Sequence, residues 1–372
     1  MAANTADTRT VTAFEARKSI LRCFQKQRPV FLWGPPGIGK SELVSGITDE
    51  LGGYMIDLRL GQMEPTDIRG IPFYNKDLGK MDWAAPVDLP DDELASQYPV
   101  VVLFLDELNS AAPAVQSAAY QLILNRRVGK YVLPKNVVMV AAGNRESDKG
   151  VTYRMPTPLA NRFVHQEMRV DHASWEQWAV NHGIHKDVVG YVGFAKQDLF
   201  DFDPRGSSRS FATPRSWSFV SELLDDNMDD ATLTNLIAGT VGEGIAIKFM
   251  AHRKIAGQMP KAIDVLTGKV KDLSIKEVSA QYSLTISMCY ELKDQLERLQ
   301  ADKKMEDWHA MADNFLGYMM ANFNTELVVM GARVALTTYN LQLVPNKLKN
   351  FDDFHKRFGK YILAASSKDG GR

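Results

Sequence analysis

Residues Phe31 to Ser41 read FLWGPPGIGKS. The apolar run Pro29 to Trp33 predicts a buried strand, and a helix is expected from Glu42 to Leu51. Between them lies Gly34-x-x-x-x-Gly39-Lys40-Ser41. A glycine loop between a strand and a helix is the context that gives a phosphate-binding pattern its meaning. The loop glycines let backbone N–H groups close around a β-phosphate, and the positive end of the following helix adds to that field. Lys40 can reach the β- and γ-phosphates, and the Ser41 hydroxyl can ligate Mg²⁺. The candidate nucleotide-binding set is Gly34, Pro35, Pro36, Gly37, Ile38, Gly39, Lys40, Ser41 and Glu42.

A second stretch, Val100 to Glu107, reads VVVLFLDE: a buried strand ending in two carboxylates. Asp106 is placed to hold the Mg²⁺ hydration shell beside Ser41, and Glu107 to orient and polarise an attacking water. Binding a nucleotide does not need that second carboxylate; hydrolysing one does. A third apolar strand, Val137 to Gly143, runs into Asn144. Strand C-termini meet the ligand crevice in a parallel sheet, so Asn144 is a candidate for contact with the γ-phosphate or the lytic water. Two arginines follow at element ends, Arg162 in Asn161-Arg162-Phe163 and Arg215 in Thr213-Pro214-Arg215. A guanidinium suits the spread negative charge of a phosphoryl-transfer transition state.

The 372 residues suffice for two or three domains. A net charge of −1 provides no global field toward nucleic acid or membrane. The two cysteines, Cys23 and Cys289, lack metal spacing and are read as buried thiols of a reducing compartment. With no signal-like N-terminus and no apolar stretch long enough to span a bilayer, the expected location is cytoplasmic.

Residues 1 to 10 are expected to be disordered. From Thr12 to about Val170, strand-like runs alternate with helical ones, as in a parallel sheet with crossover helices. Beyond that the pattern is helical, with a loop at Asp201 to Pro214, a helical segment from Trp217 to Ala256 and a second break from Gly257 to Leu273. In the remainder, Tyr282, Cys289, Leu292, Leu296 and Leu299 are read as one apolar face. Trp308, Met311, Phe315 and Met319 form a stripe suited to core packing. The domains expected are an α/β nucleotide-binding domain over 1–200, a helical lid over 212–256 and a C-terminal helical extension over 274–365.

Over about residues 12 to 256 the sequence resembles the AAA+ ATPases, and within them the MoxR-like and dynein-related branch. The resemblance implies a P-loop core of parallel sheet flanked by helices, with an all-helical lid. It makes Gly34–Ser41 the Walker A loop, Val100–Glu107 the Walker B strand and Asn144 sensor 1. Arg162 takes the place of the arginine finger acting on a neighbouring subunit's nucleotide, and Arg215 that of sensor 2. It further implies ATP with Mg²⁺, and a homo-oligomeric ring, usually a hexamer. The asparagine-proline pair common after sensor 1 in MoxR proteins is absent here, where Arg145 follows Asn144.

Two inserts resemble the hairpins of this branch. One, within Leu58 to Pro90, carries Phe73, Tyr74 and Trp83, which either face a central pore or pack within the hairpin. The other spans Arg126 to Pro134, where Arg126 and Arg127 are either an interface pair or a solvated turn. The C-terminal helices are an adaptor surface, a collar or a dimerisation pair. Residues 343 to 372 hold seven Lys/Arg against three Asp, read as a solvated face before a nucleic-acid site. The favoured function is ATP-driven remodelling of a protein client, with a von Willebrand A domain protein as the partner the resemblance suggests. The alternatives are a nucleic-acid motor or loader and a nucleotide-dependent scaffold with little turnover.

Overall fold

The computed structural model describes residues 9–148, 150, 152–273 and 275–369. Residues 1–8, within the segment expected to be disordered, lie outside the described residues. The chain divides into two compact units. One runs to Asp171 and includes Asp203–Gly206; the other comprises His172–Phe202 and the chain from Ser207 onward.

The first unit contains, in chain order, β1 (Thr10–Val11), α1 (Ala13–Gln25), β2 (Val30–Trp33), α2 (Lys40–Glu50), β3 (Tyr54–Arg59), α3 (Pro65–Arg69), β4 (Ile71–Asn75), β5 (Lys80–Ala84), α4 (Asp92–Gln97), β6 (Val101–Asp106), α5 (Pro113–Asn125), β7 (Arg127–Val128), β8 (Tyr131–Val132), β9 (Val137–Gly143), α6 (Thr157–Ala160) and β10 (Val164–Met168). Six strands form one parallel sheet in the order β1-β10-β2-β9-β6-β3.

The apolar runs make central strands because both sheet faces are covered. Phe31, Val101, Leu103, Leu105, Val137, Met139 and Ala141 face a core shared with Val115, Ala118 and Leu122 of α5. The alternate residues Val30, Leu32, Val102, Phe104, Val138 and Val140 meet Ala16, Ile20 and Phe24 of α1 and Val44 and Ile47 of α2. Helix α1 starts where a capping box can form: the Thr12 hydroxyl accepts from Glu15 N, and the Glu15 carboxylate accepts from Thr12 N.

The two hairpins expected as inserts are present. β4 and β5 pair antiparallel, with Asn75 opposite Lys80. β7 and β8 form a shorter one. On β4–β5, Asp82 is buried and accepts from Lys130 Nζ at 2.7 Å and Asn75 Nδ2 at 3.3 Å. Pro72, Tyr74, Met81 and Trp83 share the opposite face, and Tyr74 and Met81 are each more than 60% exposed. Arg126 is neither a solvated turn nor a free surface charge. It is half-buried and donates to the carbonyl oxygens of Pro134 (2.9 Å) and Val137 (2.7 Å), closing the β7–β8 loop from inside. Burial lowers its pKa from the usual arginine value.

The second unit is helical: α7 (His172–Asn181), α8 (Lys186–Phe194), α9 (Pro214–Leu223), α10 (Asp230–Val241), α11 (Glu243–Ala256), α12 (Ala262–Leu266), α13 (Val278–Ala301), α14 (Met305–Asn322), α15 (Thr325–Arg333) and α16 (Phe351–Asp369). The helical unit begins at His172. α8 lies tight against α13, where a Cβ added at Gly190 would come within 2.7 Å of Ser283 Oγ and one at Gly193 within 2.4 Å of Tyr282 Oη. The single helical segment expected over Trp217–Ala256 is three helices, one junction falling at Gly242 (φ +95°). The second break holds α12. The segments 212–256 and 274–365 both belong to this one unit, and Ser274 lies outside the described residues.

The apolar face expected on α13 is only part of its burial. Residues 279–286 are buried all round, because α8, α11, α12, α14 and α15 surround the helix. The α14 stripe packs as expected, with Trp308, Phe315 and Met319 buried and Trp308 Nε1 donating to Leu292 O at 2.9 Å. On and before α16, Lys347, Lys349, Lys356, Arg357 and Lys360 are exposed, while Phe354 and Phe358 are buried. The side chain of Lys368, and Arg372, lie outside the described residues. Cys289 is buried, whereas Cys23 is only partly so. Among the described residues no helix is long and apolar enough to cross a membrane.

Glu176 on α7 is a buried carboxyl group whose Oε1 has no hydrogen-bond partner among the described residues. Desolvation pushes its pKa up to about 7, against an opposing pull from Lys196 and Arg333. The buried hydroxyl and thiol groups of Tyr282, Cys289 and Tyr339 face the same core. The folded chain therefore keeps this proton at pH values where the unfolded chain has released it. Stability falls as pH rises from the unfolded carboxylate range through about 7, by on the order of 3 kcal/mol in all. Glu176→Gln removes that dependence. Urea melts should show the variant close to wild type near pH 5 and more stable than wild type near about pH 8.

Candidate functional site

The C-terminal ends of β2, β9 and β6 lie side by side. Trp33 is opposite Gly143, and Leu105 is opposite Ala141. The later strands β9 and β10 flank β2 on opposite sides, which makes β2 a topological switch point, where open α/β sheets bind ligands. Gly34, Asn144 and the pair Asp106–Glu107 follow from these adjacent ends.

The phosphate loop is shaped by its glycines. Gly37 (φ +74°) and Gly39 (φ +90°) adopt left-handed conformations, and Gly39 serves as N-cap of α2. The helix consequently starts at Lys40, two residues earlier than expected. A Cβ at Gly34 would come within 2.5 Å of Ile38 Cδ1. The loop presents its amides as a concavity at a helix N-terminus, which suits a phosphate chain. Lys40 is 9% exposed, and its Nζ donates to Gly34 O (2.8 Å), Pro35 O (3.1 Å) and Asn144 Oδ1 (3.2 Å). Asn144 and the loop thus hold one ammonium between them.

Asp106 closes β6 half-buried, and its Oδ1 accepts from Glu107 N at 2.9 Å. Glu107 is exposed and left-handed at φ +55°, a conformation that costs a non-glycine residue roughly 1 kcal/mol or more. Its carbonyl accepts from Ser110 N (2.9 Å) and Ala111 N (3.1 Å), which fixes the turn. The carboxylate rests against Gly61, where an added Cβ would fall 2.8 Å from Glu107 Oε2. Asp57 on β3 adds negative potential: desolvation and then the Asp106 charge raise its pKa, opposed by Arg59 at 3.8 Å.

Beneath the loop, Phe31 and Trp33 stack at 4.1 Å between ring centroids. Trp33 Nε1 donates to His165 Nδ1 at 2.9 Å, so His165 Nε2 carries the proton toward Ala160 O at 2.8 Å. This ties the end of β2 to the segment bearing Arg162.

Arg162 itself is remote from Gly34. Val164 pairs with Val30 and Glu167 with Trp33, which sets Arg162 at the N-terminal edge of the sheet, about 10 Å or more along the strand from the loop. It is exposed, and its guanidinium makes no hydrogen bond among the described residues. Arg145, next to Asn144, is engaged with Asp148 (2.9 Å) and Glu167 (3.4 Å). Arg215 belongs to the helical unit. It is exposed at the start of α9, behind the Thr213–Ser216 capping box.

Three residues of the site escaped the sequence reading: Asn109, Gly143 as a packing position, and Gly61. Only Asn109 left a trace, as the polar residue three places after Asp106.

Among the described residues no cluster of three or more His, Cys, Asp or Glu could hold a metal ion.

A shaped phosphate loop at a switch point, with an acidic strand end and a polar amide beside it, defines a P-loop nucleotide-binding domain. Residues 30–168 match the family described as ATPase family associated with various cellular activities (AAA). Solved structures similar to it include a provisionally named ATPase from Cytophaga hutchinsonii, with 13% identity and a TM-score of 0.34 over 88% of this chain and 82% of that one. The Thermotoga maritima RuvB Holliday junction branch migration motor matches at 17% identity and a TM-score of 0.35, over 66% of this chain and 74% of that one. NtrX from Brucella abortus matches at 14% identity and a TM-score of 0.32, over 64% and 51%.

Proposed function

We propose that the chain binds ATP with Mg²⁺ and hydrolyses it, as a MoxR-like AAA+ machine that remodels a protein client. The observation that carries this is the convergence at one sheet edge: the phosphate loop and Asn144 share the Lys40 ammonium, and Glu107 leaves the adjoining strand on a strained turn. In this reading Lys40 takes the β- and γ-phosphates, and Glu107 orients water and accepts its proton. Asn144 holds the γ-phosphate or that water. Ser41 and Asp106 would hold Mg²⁺, which would supply charge neutralisation at the phosphate oxygens.

The proposal extends to a homo-oligomeric ring, a hexamer, with Arg162 serving the neighbour's nucleotide and Arg215 reading the γ-phosphate from the lid. Its position at the far edge of the sheet supports a role for Arg162 outside its own site. The exposed apolar face of β4–β5, with Tyr74, Met81 and Trp83, is the surface proposed to touch the client, and a von Willebrand A domain protein is the proposed partner. The proposed location is cytoplasmic.

Mixing tests the trans assignment. Arg162→Ala should lose about a thousand-fold or more in turnover while keeping nucleotide affinity. Mixed one to one with Glu107→Gln, itself inactive, it should recover about a quarter of wild-type phosphate release, since about one interface in four then carries both intact residues. No recovery at any ratio would remove Arg162 from that role.

A second reading, a nucleic-acid motor, draws on the exposed basic residues around α16. It requires ATPase activity that rises on adding DNA and falls steeply with salt. A flat response excludes it.

A further inference from the structure

Backbone pairing between β6 and β9 runs to Leu105 opposite Ala141, then is broken by the left-handed turn at Glu107. Two contacts continue it. Leu108 N donates to Ala142 O at 3.1 Å, and the Asn109 side chain takes the next place, its Nδ2 donating to Asn144 O at 2.7 Å. Asn109 is 2% exposed, and its own carbonyl accepts from Tyr153 N at 2.7 Å. The amide packs closely against Gly143, where an added Cβ would fall 2.1 Å from Asn109 Oδ1. Asn109 Oδ1 itself has no hydrogen-bond partner among the described residues. The residue is thus held by one side-chain bond, one backbone bond and a glycine-sized gap, between the turn that carries Glu107 and the strand end that carries Asn144.

We infer that Asn109 is a positioning residue for nucleotide hydrolysis, fixing Asn144 and through it Lys40 relative to Glu107. This rests on the ATPase reading above. Asn109 continues the sheet with a side chain past the point where the strained turn ends backbone pairing. Without it the Asn144 carbonyl is an unpaired acceptor, and the spacing between the water-orienting carboxylate and the asparagine amide is no longer set. A loss of roughly 1 Å in such spacing costs up to about 100-fold in rate with little effect on binding.

The test is a double-mutant cycle on phosphate release by the full chain, with nucleotide affinity measured separately by a fluorescent ATP analogue. Asn109→Ala should lower kcat by about 10- to 100-fold and leave affinity within about three-fold. Its effect should largely vanish in an Asn144→Ala background, because both act through one contact chain. Additive losses, or equal loss of affinity and kcat, would overturn the inference.

Asn109→Asp keeps the shape should the alanine variant not fold. Its protonated carboxyl can donate to Asn144 O as the amide does, and its ionised form cannot. Its kcat relative to wild type should therefore fall as pH rises, and a ratio constant with pH would count against the assignment. A wild-type chain with no ATPase activity sinks the functional reading, and this inference with it. An active wild type with an additive cycle sinks this inference alone.

Discussion

Lys40→Ala is expected to abolish detectable nucleotide binding, with Kd rising by at least about a hundred-fold and turnover lost with it. The Nζ of Lys40 is buried and held by Gly34 O, Pro35 O and Asn144 Oδ1. Two of those acceptors are the loop's own carbonyl oxygens, so the ammonium already sits within reach of any phosphate the loop amides surround. Removing it deletes the compact positive charge of the cradle and also leaves Asn144 without its lysine donor. Nucleotide titration by fluorescence or calorimetry measures the loss. Retention of affinity in a folded Lys40→Ala chain would mean that the loop is not the nucleotide site.

Glu107→Gln is expected to leave binding largely intact and to remove turnover. Glutamine keeps the size of the side chain and its place against Gly61, but it cannot take a proton from water. Loss of a positioned general base costs about 10²- to 10⁴-fold in rate. Affinity for ATP should remain within a few-fold of wild type, because Glu107 is exposed at the far side of the turn and makes no contact with the loop among the described hydrogen bonds. The variant should hold ATP unhydrolysed and prolong any nucleotide-dependent assembly or client complex, making it the form with which to capture the client.

The central strands β2, β6 and β9 were legible because they are apolar runs covered on both faces, and the glycine loop because each glycine there answers a local backbone need, whereas β1 fell partly within the segment expected to be disordered. The placement of Asp106, Glu107 and Asn144 at adjoining strand ends was legible by the same logic, since a residue at the C-terminal end of a central strand lands at the crevice edge. What the sequence concealed depends on contacts across the chain. Asn109 reaches a carbonyl 35 residues away, and Arg126 caps carbonyls that only the folded loop brings beneath it. The helical unit was less legible for a related reason. α13 is buried on all sides by helices from distant segments, so its polar residues Ser279, Gln281, Ser283 and Thr285 lie in the interior and blur the amphipathic pattern. The junction at Gly242 was hidden within an otherwise continuous helical composition.

Phosphate release by the purified chain at saturating ATP and Mg²⁺, wild type beside Glu107→Gln, with bound nucleotide quantified in both, tests the central claim most directly. The account predicts steady turnover by wild type and a Glu107→Gln chain that carries ATP without releasing phosphate. Turnover unchanged by Glu107→Gln, or a wild type that binds ATP and releases no phosphate, would contradict it.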